Sequence, residues 1–369
     1  MLSPLHDLMS QAVDDAVFPG AVLLVDVGGR LIVCEAFGSS TRIPAREAMT
    51  VDTVFDLASL TKPLVTAGLA LGLVAEGRLA LDEPVARHIP TWDGDARSRV
   101  TIRHLLTHSS GLPDWRPFYR QVPATDVATV EGKRRVIELA ASEALEAEPG
   151  VIGRYSDLGF ILLGSIIERL MDRPLDRLFT ERLALPLGLA STAYAPIGDG
   201  AARAWLDGRR VAATETCPWR GRTLRGEVHD ENSYAMGGVS GHAGLFGTAE
   251  DVRRLTREWM VAARGASTLW PAEPAATFLT RQHGIGSGGW ALGWTVPTPP
   301  STSGRHFSPR SFGHLGFTGT SVWADPECDL LVILLSNRVH PTRANQAIAQ
   351  FRPRLHDAVY ESVIGGLSR

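Results

Sequence analysis

Lysine is nearly missing from this chain: its 369 residues hold only Lys62 and Lys133, and arginine supplies every other cationic side chain. A lysine kept where arginine otherwise serves marks a position that needs a titratable amine, because a guanidinium cannot give up its proton. Cysteine is scarce too. Cys34, Cys217 and Cys328 are far apart and form no CxxC pair, so neither a disulfide framework nor a structural zinc site is expected. Reduced thiols, and with them a cytoplasmic setting, are the expectation.

A large charge of either sign is missing as well. The formal net charge is −3, which gives neither a nucleic-acid footprint nor a polybasic membrane surface. A small-molecule or peptide substrate fits that balance; oligomeric state is not legible. The first twenty residues contain no basic leader, no long apolar run and no small-residue cleavage site, and read as an amphipathic helix. No apolar stretch is expected to reach the ~18 residues of a membrane span. A P-loop is absent, and no serine sits in a Gly-x-Ser-x-Gly elbow, which argues against an α/β-hydrolase fold. No cofactor is expected. His104 and His108 have the helical spacing of a zinc pair, but Leu105 stands where a metalloprotease carries glutamate. His229, Asp230, Glu231 and His242 lack ligand spacing, so no metal is expected either.

What is present begins with β-prone runs. AVLLVDV and RLIVCEAF are joined by Gly28-Gly29, a hairpin signal. GWALGWTV, HLGFTGTSVWAD and LLVILLSN read as three further strands, and Arg343 to Ile364 as a closing amphipathic helix. Between the two ends, residues 69 to 285 carry helical periodicity broken by Pro/Gly loops. The expected architecture is α/β of the α+β kind: an antiparallel five-stranded sheet from residues 1–68 and 286–369 with terminal helices, a mainly helical region over 69–285, and a cleft at their junction.

Three segments carry chemistry. Ser59-Leu60-Thr61-Lys62 opens an apolar helix that Gly77 closes. A serine there has its own N–H and the positive end of the helix dipole beside its oxygen, and Lys62 lies one turn on, on the same face. Burial is expected to lower the lysine pKa and let it take the serine proton. The bland alternative is a capping serine beside an ordinary lysine. Tyr155 is the only one of five tyrosines with Asn or Asp two residues later, at Asp157, so it can relay a proton to a leaving atom; alternatively Asp157 caps the next helix. The run His314-Leu315-Gly316-Phe317-Thr318-Gly319-Thr320 reads as a strand whose glycines admit close approach of a substrate. A backbone N–H there, with that of Ser59, can form an oxyanion hole, and Thr318 and His314 can contact substrate.

In that order and spacing, Ser59-Leu60-Thr61-Lys62, Tyr155-Ser156-Asp157 and His314-Leu315-Gly316 resemble the three motifs of class C β-lactamases, DD-peptidases and family VIII esterases. The resemblance covers nearly the whole chain; Arg103 to Pro113 and Gly241 to Phe246 look like further recurring segments. It implies a β-lactamase/transpeptidase-like fold, an acyl-enzyme on Ser59, Lys62 and Tyr155 as base and then acid, and the Ser59 and Phe317 amides as oxyanion hole. Asp157 stands where the family usually has Asn, and its charge is expected to raise the Lys62 pKa and move the base role toward Tyr155. His314 stands where lysine is usual and is expected to be charged part of the time, weakening recognition of a substrate carboxylate. Amidase, peptidase or esterase action is therefore expected over β-lactam hydrolysis; a non-catalytic penicillin-binding or sensor module is the alternative from another class, which the presence of Ser59, Lys62 and Tyr155 together disfavours. The stretch Arg222 to Asn232 looks like one found in relatives linked to cell-wall peptides, and Arg222 and Arg225 can fork onto a substrate carboxylate or form a salt-bridged surface loop.

Overall fold

In the computed structural model, which describes residues 3–94, 96–284 and 289–365, the two ends of the chain build one antiparallel sheet. Its strands are β1 (Gly20–Val27), β2 (Arg30–Thr41), β3 (Glu47–Ala48), β4 (Phe312–Leu315), β5 (Ser321–Asp325) and β6 (Leu330–Ser336), in the order β3-β2-β1-β6-β5-β4. Gly28 and Gly29 turn the first hairpin with φ of 60° and 81°, values a side chain would oppose.

Strand periodicity explains why the sheet is buried on both faces. Val22 and Leu24 of β1 and Leu331, Ile333 and Leu335 of β6 point into the large core beneath the helical region. Their neighbours Leu23, Val25, Leu330, Val332 and Leu334 point into a second core. That second core is closed by α1 (Ser3–Asp14) and α4 (Ile348–Val363), which pack on each other. The opposite face takes α3 (Ala249–Ala263), which touches both β1 and β6 although its sequence lies in the mainly helical stretch.

The sheet differs from the expected one in two places. GWALGWTV is not a strand: Gly293, at φ 83°, and the Ala291 N–H to Trp294 O bond of 2.8 Å fold it into a tight turn, leaving bridges at Trp290/Thr295 and Thr295/Gly313. The run from His314 is not one strand either. It breaks after Leu315 into a turn closed by Gly316 N–H to Thr320 O at 2.8 Å, giving β4 and β5; with the short β3 the strands number six. The expected boundary at 285/286 lies outside the described residues.

The helix Ala58–Ala75 is the centre of the large core. It starts as a 3₁₀ turn, continues as a π-type turn over Lys62–Ala67 and becomes α-helical at Gly68. Leu60, Leu64, Leu71 and Leu73 are fully buried, each worth roughly 1.5–3 kcal/mol of transfer free energy. This helix does have the length and apolarity of a membrane span, contrary to expectation, but it is packed inside the protein. Its partner is α2 (Asp157–Met171), whose inward face runs through Leu158, Ile161, Leu162 and Ile166.

Candidate active site

Ser59 is presented by a strained backbone. Ala58 just before it has φ 48°, a left-handed conformation that costs a non-glycine residue roughly 1 kcal/mol. The buried Asp56 carboxylate holds it there, accepting the Ala58 N–H at 2.9 Å and the His229 N–H at 2.6 Å. Burial raises the Asp56 pKa, and the two N–H bonds only partly offset it.

Lys62 is completely buried, and its ammonium meets three acceptors. It donates to Ser59 Oγ at 2.8 Å and to the His242 carbonyl at 3.1 Å, and stands 2.7 Å from Asp157 Oδ1. The last contact is a charge pair at hydrogen-bonding distance. Burial pulls the lysine pKa down, but the Asp157 charge leads the contributions that outweigh it, and the net direction is up. The expected depression by desolvation is thus overridden, whereas the expected effect of Asp157 is found. Lys62 rests as ammonium.

Tyr155 lies in the loop before α2. The N-cap of that helix is Ser156, whose Oγ accepts the Gly159 N–H at 3.3 Å, so Asp157 is free of the capping duty and turns its carboxylate to Lys62. The Tyr155 ring is 4.8 Å from Lys62 Nζ, and its phenol reaches both Lys62 and Ser59. Burial raises the phenol pKa above its ordinary value, with Lys62 opposing, so Tyr155 rests protonated. Behind it His108 packs at 4.6 Å between ring centres and accepts the Ser156 N–H at 3.0 Å.

The third segment is fastened to the first. Thr318 Oγ1 donates to Asp56 O at 2.8 Å and Thr320 Oγ1 to Leu57 O at 3.1 Å. A Cβ on Gly316 would stand 2.7 Å from Leu57 O, so only glycine permits this approach. The turn thereby carries Phe317 to the mouth of the cleft, where its ring is 47% exposed, and no backbone hydrogen bond uses its N–H among the described residues. Thr318 is buried with its hydroxyl spent on Asp56, so it does not face substrate as expected. His314 is fully buried and lines the cleft. Burial, reinforced by the Lys62 charge, pushes its pKa down to about 3. The imidazole is neutral throughout the physiological range, not partly charged.

Arg222 and Arg225 are not at the cleft. Arg222 forks onto Glu227 and Arg225 onto Glu47, at 2.6 to 3.0 Å, so both guanidinium groups are committed to a salt-bridged loop. The cleft cations are Arg338, Arg343 and Arg352, which the sequence did not single out. Arg343 pairs with Glu215 and Glu231. Arg338 donates only to the carbonyls of Phe317, Arg343 and Asn345, and Arg352 only to those of Gly316 and Thr320. Neither forms an ion pair among the described residues. Arg352 offered one signal: it sits among Ile348, Phe351 and Leu355 on the apolar face of α4.

Ser59, Tyr155, Asp157, His314, Gly316 and Phe317 line one cavity of about 770 Å³, together with Asp230 and His242. Among the described residues, Asp157, Asp230 and His242 form one group with ligand atoms close enough to hold a cation. Lys62 supplies positive charge there: its ammonium contacts Asp157 and the carbonyl of His242. His242 in turn bonds Asp230 at 2.8 Å and Ser240 at 2.8 Å.

The Beta-lactamase family description matches residues 5–354. An N-acetylmuramyl-L-alanine amidase of Bacillus subtilis is 34% identical, over 88% of this chain and 78% of that protein. A putative D-alanyl-D-alanine carboxypeptidase of Escherichia coli K12 is 32% identical, over 92% and 82%. Among solved structures, EstCE1, described as a hydrolase with promiscuous acyltransferase activity, superposes with a TM-score of 0.74 at 26% identity, covering 96% of this chain and 98% of that one.

Proposed function

The chain belongs to the Beta-lactamase family and is a serine hydrolase, and we propose that it cleaves a cell-wall peptide or muramyl amide through an acyl-enzyme on Ser59. The observation that carries this is the part-buried contact of Ser59 Oγ with Lys62 Nζ at 2.8 Å, with Asp157 2.7 Å beyond.

The proton route follows from the resting charges. Lys62 is an ammonium and Tyr155 a phenol, so neither is a ready base; the Asp157 carboxylate is the proton-free group in contact. As Ser59 Oγ attacks the carbonyl, its proton passes to Lys62 while Lys62 passes one to Asp157. The Oγ–C bond forms and the carbonyl electrons move onto oxygen, which the N–H groups of Ser59 and Phe317 receive. When the C–N bond breaks, Tyr155 protonates the leaving nitrogen and is refilled from Lys62, and Lys62 from Asp157. Water then hydrolyses the ester by the same route in reverse.

Substrate class follows from charge. A buried cation without a counter-ion is costly, and Arg338 and Arg352 bring two to the cleft wall. A substrate carboxylate would supply the missing charge, which supports a peptide or muramyl peptide and relocates the anion contact from Arg222 and Arg225. The names of the amidase and carboxypeptidase relatives agree with that class. A fluorophosphonate probe followed by mass spectrometry tests the core of this reading: an adduct on Ser59 is expected, and a folded protein that takes no label refutes it. A panel of muramyl peptides, D-Ala-D-Ala peptides, nitrocefin and p-nitrophenyl esters then tests the substrate class, with the carboxylate-bearing amides expected to give the highest kcat/KM.

A further inference from the structure

His314 has one ring nitrogen committed and one with no partner. Nδ1 lies 2.9 Å from the carbonyl oxygen of Leu315. A carbonyl can only accept, so Nδ1 carries the hydrogen and Nε2 presents a bare lone pair. That Nε2 is buried and makes no hydrogen bond among the described residues, while the residue lines the cleft. Other unpartnered buried nitrogens in this region, Trp290 Nε1 and Arg352 Nε, are donors. So is His108 Nε2, because Nδ1 of that ring accepts the Ser156 N–H. The unpartnered acceptor beside Lys62 is Asp157 Oδ1, whose charge is already taken up by the ammonium. Among the buried side chains of the described residues that line the cleft, His314 Nε2 is therefore the neutral acceptor left open. A buried acceptor without a donor is destabilising, and one in a cleft wall can be completed by a ligand.

Position indicates which donor. The rings of His314 and Tyr155 are 5.9 Å apart, and both line the cavity with Ser59. Tyr155 gives its proton to the leaving atom. To take that proton, an amide nitrogen must turn its lone pair toward the phenol, and its own N–H then points elsewhere. In a desolvated cleft that N–H needs an acceptor. We propose that His314 Nε2 accepts the N–H of the scissile amide as its nitrogen pyramidalises, and so sets the enzyme's preference for amides over esters.

The proposal rests on the serine-hydrolase reading and deepens it. An ester oxygen has no hydrogen to offer, leaves Nε2 unpartnered and brings a second lone pair toward it. A lysine or arginine here could not play this part, since neither has a lone pair when charged. The bond strengthens as the nitrogen becomes tetrahedral, so it acts in the transition state.

The test compares a p-nitroanilide, its N-methyl anilide and the p-nitrophenyl ester of one acyl group, on the whole protein, in wild type, His314→Phe and His314→Gln. In His314→Phe, kcat/KM for the anilide is expected to fall about 10- to 100-fold, the range set by leaving one buried polar group unpaired. The ester and the N-methyl anilide should lose no more than about twofold. His314→Gln, whose amide oxygen can reach the place of Nε2, should keep most of the anilide rate. Equal losses for anilide and ester in His314→Phe, or an unchanged anilide rate, overturns the proposal. If the phenylalanine variant fails to fold, the glutamine variant decides: an anilide rate that falls about tenfold or more while the ester rate holds counts against the proposal. Failure of the underlying reading looks different, because Ser59 then takes no fluorophosphonate label in wild type.

Discussion

The two walls of the cleft are built on opposite plans. On one, Ser59, Lys62, Tyr155 and Asp157 satisfy one another: the ammonium has Ser59 Oγ, the His242 carbonyl and the Asp157 charge, and the phenol reaches both serine and lysine. On the other, among the described residues, His314 Nε2 has no donor and Arg338 and Arg352 have no carboxylate. The difference separates two tasks. Proton transfer must be ready before substrate arrives, so that wall is closed on itself; recognition needs unmet groups, so the other wall is completed only by ligand. Mutations on the first wall should therefore depress turnover of every substrate, and mutations on the second should discriminate between substrates.

The largest effect is expected from Ser59→Ala, which should lower kcat on the order of 10⁴-fold or more while thermal stability changes little; steady-state assay beside a melting curve checks both. Tyr155→Phe should cost about 10² to 10⁴ in kcat, the usual share of a general acid, for amide and ester alike. A drop below tenfold would reduce the phenol to packing. Arg352→Met should raise KM for a carboxylate-bearing substrate about 10- to 100-fold, as loss of a charge-assisted contact does, yet leave a neutral ester within about twofold. Equal effects on both would erase the contrast between the walls.

Acid should act on stability before it acts on the arginines. His314 binds its proton in the folded state only near pH 3, against an ordinary 6.5. The unfolded chain thus holds more protons between these values, so stability falls as pH drops through that window and is fully present above it. His356, held down to about 4 by burial, adds in the same direction. Urea melts from pH 7 to pH 4 should show this decline, and His314→Gln should flatten part of it. The smallest effect belongs to Arg222→Ala and Arg225→Ala, whose surface pairs are worth about 1 kcal/mol or less; kcat/KM on every substrate should be unchanged.

What the sequence disclosed and what it hid divide along the same line. Ser59, Lys62, Tyr155 and Asp157 were legible because short spacings fix them: one helical turn in the first case, two residues in the second. The hairpin at Gly28-Gly29 was legible for the same reason. Arg222 and Arg225 stayed open between a substrate fork and a salt-bridged loop because a sequence displays cations but not their counter-ions; Glu47 is 178 residues from Arg225. Arg338 and Arg352 escaped notice because only the folded chain shows that no carboxylate of the described residues neutralises them. Thr318 was placed on the wrong side because the run after His314 turns where alternation would have continued, and its hydroxyl ends on Asp56, 262 residues away. The sign of the Lys62 shift needed the 2.7 Å contact, since burial and the neighbouring charge oppose each other.

The central claim is that Lys62 moves a proton rather than merely carrying charge, and the direct measurement is the pre-steady-state acylation rate of Lys62→Arg on an activated ester. Arginine keeps the positive charge beside Asp157 but cannot cycle a proton, so the acylation burst should slow by about 10² or more. A burst at the wild-type rate would contradict the account.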